Sequence, residues 1–183
     1  MVRVIFAVLF ILLVDLLHAF SFSTGFEPWV GVVGRFEATK LLELKKAALN
    51  APIEHNMSIN MGKTTTSLIL DEIGVRLGSS SALLMTWDQV KKVGKKESRC
   101  YALYDDGAAP WHVSTLSENT GIPASLCPPL DEQGAPTIIL GGFTMHRLKG
   151  DGMNPLEDTA NKLSAIRIRK GAIVLDTCMG AGY

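Results

Sequence analysis

The chain has 183 residues with 18 basic and 18 acidic side chains, a formal net charge of zero, and room for one ordinary domain or two small ones. That balance excludes nucleic-acid binding driven by overall charge, leaving only a local basic patch open, and a hydrophobic content of 47% excludes a disordered or collagen-like chain. Three cysteines, Cys100, Cys127 and Cys178, are too few and too scattered for a disulfide scaffold or a CxxC zinc site, and no metal-ligand pattern is expected.

Seventeen of the first 20 residues are apolar. Arg3 supplies a positive start, residues 4–14 form an unbroken apolar run, and Asp15 interrupts it ahead of Ala19. These are the n-region and h-region of a secretory signal, too short for a membrane span, so no stable span is expected after leader cleavage. An uncleaved anchor fits the same residues, as does a misplaced start codon with a cytoplasmic product. Ala19-Phe20 followed by Ser21-Phe22-Ser23 also resembles the bipartite leaders of complex plastids.

Residues 21–34 lack periodicity and read as a linker. Phe36, Leu41, Leu42, Leu44 and Ala48 then fall near one face of an amphipathic helix over 35–49, stopped at Asn50-Ala51-Pro52. It is either a transit-peptide helix or a first helix packed on the body.

Residues 55–142 read as a β-rich domain. The run at 57–61 alternates, 64–70 is β-branched and aliphatic, and Asp105-Asp106-Gly107 is a hairpin signal between 100–104 and 111–116. Thr86 is placed to cap a short helix over 87–92, and a strand at 137–140 ends at Gly141-Gly142. Gly62-Lys63-Thr64 is not a P-loop, because position 57 is Met and a strand pattern follows. After Gly152 the pattern changes. Asn154 and Pro155 open a helix expected to reach 166, Glu157 and Asp158 suit its first turn, and Leu156, Ala160, Leu163 and Ile166 supply an apolar face. Residues 171–176 then form an apolar run of the buried parallel-strand kind.

Asp176-x-x-x-Gly180-x-Gly182 directly after that run is the strongest chemical feature. A carboxylate at a strand end and a glycine turn let a ligand approach the backbone; a tight turn without a ligand also fits. A nicotinamide fingerprint would need a further Gly at position 185, whereas the order carboxylate-then-glycines suits S-adenosylmethionine.

Residues 174–183 resemble motif I of the class I S-adenosylmethionine-dependent methyltransferases. Together with Pro136-Thr137-Ile138-Ile139, Gly142-Phe143-Thr144-Met145-His146-Arg147, and Pro155-Leu156-Glu157-Asp158-Thr159 with Lys162, they resemble one archaeal-type methyltransferase family with a small N-terminal β domain. The resemblance covers roughly residues 56–183 and departs from the common pattern at Cys178, where many methyltransferases place Gly. It implies that Asp176, Gly180 and Gly182 form the cofactor loop with Thr177 and Tyr183 beside it. It further implies that Arg147 or Thr159 meets the methionine carboxylate of S-adenosylmethionine. His146 either contacts substrate or is a satisfied structural histidine.

The expected fold is therefore α+β. Residues 1–20 are a signal-like segment, 21–54 a linker and helix, 55–142 the β-rich domain, and 143–183 the first helix and strand of a truncated Rossmann-like methyltransferase domain. Two functions follow. One is the N-terminal part of a methyltransferase, inactive as this fragment, with an unknown acceptor such as a nitrogen of RNA or an amine, and with catalytic residues outside these 183. The other is a non-catalytic β-rich module binding RNA or protein, its Lys91-Lys92 and Lys95-Lys96 pairs touching phosphates or simply solvated.

Overall fold

The computed structural model describes residues 29–129, 134–148, 154–166, 170, 171 and 173. Among them the chain is mixed α+β, with three helices and eleven strands whose ladders are all antiparallel. Strands β2 (Ile53–Met57), β3 (Thr66–Leu70), β4 (Gly74–Leu77) and β5 (Leu83–Thr86) form a meander in chain order. Its aliphatic strands bury Leu68, Leu70, Val75, Leu84 and Met85 in one cluster with helices α1 (Arg35–Ala48) and α2 (Trp87–Gly94). Helix α1 contributes Ala38, Leu41 and Ala48, and α2 contributes Trp87, Val90 and Val93. Spacings of three and seven in α1 and of three in α2 present one stripe of each helix to the core. Trp87 also donates from Nε1 to the Asp71 carbonyl at 2.8 Å, which leaves no orphan indole N–H in the interior.

Local chemistry explains how these elements start. Thr86 Oγ1 accepts the Gln89 N–H at 3.4 Å, and Gln89 Oε1 accepts the Thr86 N–H at 2.7 Å, a reciprocal capping box. Helix α1 has no such hydroxyl. There the buried Glu37 reaches back to accept the Gly34 N–H at 2.8 Å. Gly34 has an ordinary φ of −125°, so space rather than conformation requires glycine: a Cβ would lie 2.3 Å from Pro128 Cβ. The β3–β4 turn is held by Asp71, which accepts N–H bonds from Ile73 and Gly74 at 2.8 and 2.9 Å and a bond from Arg76 Nε at 2.6 Å. Burial acts to raise the Asp71 pKa, but the Arg76 bond and the two amide bonds outweigh it and hold the carboxyl below its ordinary value.

The remaining strands build two further sheets. One orders β1 (Gly31–Val33), β6 (Tyr101–Leu103) and β7 (Trp111–His112). The other orders β11 (Phe143–Thr144), β10 (Thr137–Leu140), β9 (Pro123–Cys127) and β8 (Ser114–Leu116). Val113 joins them. Its N–H donates to the Cys100 carbonyl at 2.9 Å, its carbonyl accepts from Leu126 at 3.1 Å, and the Cys100 N–H donates to the Leu126 carbonyl at 3.2 Å. One extended run at 111–116 thus changes sheet at Val113.

The structure revises several local expectations. The linker read over 21–34 contains β1, which pairs Gly31 with Leu103 and Val33 with Tyr101. The helix over 35–49 is a core helix packed on α2. The alternating run at 57–61 is not a strand throughout: β2 ends at Met57, and Met61 (φ 59°) with Gly62 (φ 82°) turns the chain into β3. The hairpin over 100–116 keeps its arms together only as far as the Val113–Cys100 bond, its ladder being Ala102–Trp111 and Tyr101–His112. The helix after Gly152 forms as α3 (Pro155–Ala165), but its buried residues are Pro155 and Asp158. Leu156, Leu163 and Ile166 of its apolar face are 48%, 52% and 57% exposed. Of the run at 171–176, Gly171 and Ile173 are described, and Ile173 is exposed and outside any strand. The leader and the loop residues Asp176, Thr177, Cys178, Gly180, Gly182 and Tyr183 lie outside the described residues. Among the described residues no helix is long and apolar enough to cross a membrane.

Candidate functional site

Strand β10 and strand β11 are joined by Gly141 (φ 57°) and Gly142 (φ 88°), the left-handed pair that a two-residue hairpin connection demands. Leu140 faces Phe143 and Ile139 faces Thr144 in register, and the Met145 N–H still donates to the Ile138 carbonyl at 3.0 Å. The hairpin therefore carries residues 145–147 back alongside the start of β10. There His146 Nδ1 meets the hydroxyl of the buried Thr137 at 2.8 Å.

The next residue touches helix α3. The Arg147 N–H donates to Asp158 Oδ2 at 3.3 Å, and the same carboxylate oxygen takes Lys162 Nζ at 2.6 Å, one turn further along. Asn154 caps this helix by accepting the Glu157 N–H at 3.0 Å, and Pro155 fits its first turn, where no intrahelical N–H bond is lost. Asp158 thus sits in the first helical turn, where the helix dipole favours an anion, and is only 3% exposed.

The electrostatics follow from these contacts. The hydrogen bond from Lys162 lowers the Asp158 pKa. Burial opposes it, and the Arg147 N–H, the Lys162 charge and His146 add to it, for a net value below the ordinary one. His146 is also pushed below its ordinary value, by burial first and the Lys162 charge second, against the pull of Asp158. The ion pair is consequently fixed near neutral pH while the imidazole beside it favours its uncharged form.

The structure therefore brings together His146, Arg147 and the first turn of α3 with Thr159. Arg147 engages the helix through its backbone, leaving an exposed side chain, and Thr159 is half-buried next to Asp158. The loop from Asp176 onward lies outside the described residues. Sequence reasoning missed the contacts of two participants. Thr137 becomes the partner of His146 only once the hairpin register is known. Asp158 was recognisable as a first-turn acid but not as the buried acceptor for Arg147. The thiols of Cys100 and Cys127 are buried, and burial raises both pKa values, with Cys127 and Glu37 adding to the effect on Cys100. Neither has the exposed thiolate character of a nucleophile. Among the described residues no three His, Cys, Asp or Glu side chains converge as a metal-binding group.

No family model matches the chain. It is 32% identical over 144 residues to an uncharacterized protein of Methanocaldococcus jannaschii; the aligned region covers 77% of this chain and 46% of that protein. The chain thus spans about half the length of the curated relative it matches.

Proposed function

We propose that this chain is the N-terminal part of an S-adenosylmethionine-dependent methyltransferase, with a β-rich unit leading into the first elements of a Rossmann-like catalytic domain. The observation that carries this reading is the apolar run ending in Asp176, followed by Gly180 and Gly182, directly after a helix bonded to the segment containing His146 and Arg147. The archaeal character of the resemblance accords with the chain's similarity to a longer archaeal protein.

The donor set suits the cofactor. The exposed Arg147 guanidinium and the Thr159 hydroxyl are groups that bind a carboxylate, and the Arg147–Asp158 backbone contact joins the two segments that carry them. When bound, S-adenosylmethionine supplies a methyl group on a sulfonium centre. The chain's own contribution is orientation: Asp176 and the two glycines would hold the cofactor, while Asp158 fixes the backbone from which Arg147 extends. Holding acceptor and sulfonium in line is the main requirement of such a transfer.

Calorimetric titration of the full-length gene product with S-adenosylmethionine tests the assignment. Saturable one-to-one binding that weakens at least tenfold in Asp176→Ala is expected. A folded wild-type protein that takes up no S-adenosylmethionine would end it.

A further inference from the structure

The two packed helices concentrate positive charge in a chain whose total is zero. Residues 35–48 and 87–99 hold nine basic and four acidic side chains, a local excess of five, so all other residues together have a net charge of −5. Within this region Lys91, Lys92, Lys95, Lys96 and Arg99 are all exposed. Among the described residues none of these five forms an ion pair, and the nearby Glu97 is occupied by Arg35 of α1. The helix dipole accounts for cations in the last turn of α2. It does not account for continuation through Lys95, Lys96 and Arg99 beyond Gly94. Like charges at this spacing repel.

We infer that this strip is a docking surface for the phosphate backbone of structured RNA. The inference names an acceptor class for the methyltransferase reading and rests on it only for that purpose; the docking itself needs no cofactor. Three features select this partner. The exposed strip of α2 contains no apolar side chain, since Trp87, Val90 and Val93 are buried on the opposite face, so it lacks what an interfacial membrane helix requires. The α2 strip itself also holds no aromatic platform for stacking unpaired bases, and Trp111 of β7 beyond it is a single exposed ring. Finally, α2 lies flush on α1, where a Cβ at Gly94 would be 3.6 Å from both Ala38 and Leu42. A two-turn helix held this way offers a shallow cationic ridge, which suits shape and phosphate contact with A-form RNA rather than deep groove readout. Arg99 extends the ridge toward β7: burial and then the Arg99 charge hold His112 below its ordinary pKa.

Fluorescence anisotropy with a labelled RNA hairpin duplex, at stepped salt concentrations, tests the docking on the full chain. Four to five phosphate contacts predict a slope of log K against log salt of about −3.5 to −4.5, or roughly a 130- to 500-fold loss between 50 and 200 mM. The variant Lys91→Gln/Lys92→Gln/Lys95→Gln/Lys96→Gln should lose at least tenfold in affinity at 50 mM salt, with a slope shallower by about one per lysine removed. Circular dichroism should show its fold unchanged, because all four side chains are exposed. No binding at low salt, a variant that binds like wild type, or stronger binding to phosphatidylserine vesicles than to RNA would each overturn the inference. Because these readouts contain no S-adenosylmethionine, failure here leaves the cofactor assignment untouched, and the reverse also holds.

Discussion

Removing the Asp158 carboxylate should free the hairpin tail from helix α3 without unfolding the core. Asp158 accepts the Arg147 N–H at 3.3 Å and pairs with Lys162 at 2.6 Å. A hydrogen bond to a charged acceptor contributes about 1.5 kcal/mol when, as here, it is long. The Lys162 side chain is 59% exposed, so its pair is discounted to about 0.3–0.5 kcal/mol. The first-turn position adds roughly 0.3–1 kcal/mol through the helix dipole. Asp158→Ala should therefore cost the junction about 2–3 kcal/mol, which is roughly 30- to 150-fold in local opening. Amide hydrogen exchange at pH 7 reads this as faster exchange at Arg147, with the amides of β3 and β4 unchanged. Asp158→Asn keeps an acceptor and should exchange only about fivefold faster, losing mainly the charge-dependent part. Because the folded pKa of Asp158 is depressed, its contribution is complete above the ordinary carboxylate value and is lost only as pH falls through the lower folded value. The effect of the substitution should therefore be flat above the ordinary histidine value of 6.5, where His146 is uncharged. Equal exchange at Arg147 in wild type and Asp158→Ala would refute the reasoning.

Further outcomes follow from other contacts. His146 has a lowered pKa in the folded chain, so its contribution is complete above the ordinary histidine value of 6.5 and is lost as pH falls below that through the lower folded value; exchange at 145–147 in the wild type should quicken over that range, and Thr137→Val should alter that dependence by removing the hydroxyl partner. Gly34→Ala places a Cβ 2.3 Å from Pro128 and should destabilise the fold by about 1–3 kcal/mol in urea melts. Leu41→Ala, at a site with 0% exposure, should cost about 2–5 kcal/mol in the same melts. Met61→Gly should instead stabilise by about 0.5–1 kcal/mol, since Met61 holds φ 59° and the left-handed conformation penalises a side chain.

What was legible in the sequence followed the range of the interactions involved. Thr86 with Gln89 and Asn154 with Pro155 are signals confined to one helical turn, and both helices begin where those residues stand. Gly141-Gly142 likewise ends β10, because a left-handed pair has few residue choices. Strand β1 was not legible: three residues pair with β6 some seventy positions away, and nothing local announces it. The change of sheet at Val113 depends on bonds to Cys100 and Leu126, which no alternation pattern encodes. Met61 stands where a turn usually takes Asn or Gly, so the alternation at 57–61 mimicked a strand. At the candidate site, the Thr144–Arg147 stretch and Asp158-Thr159 were singled out by resemblance, but the Thr137–His146 and Arg147–Asp158 bonds are products of hairpin register and helix docking.

Ultraviolet crosslinking of methyl-labelled S-adenosylmethionine to the full-length gene product, followed by peptide mapping, puts the cofactor assignment to its sharpest test. Label is expected on the peptide that follows Lys170 and contains Asp176, Gly180 and Gly182, with competition by unlabelled S-adenosylhomocysteine. Label confined to the β-rich unit, or no competable label on a folded protein, would contradict the assignment.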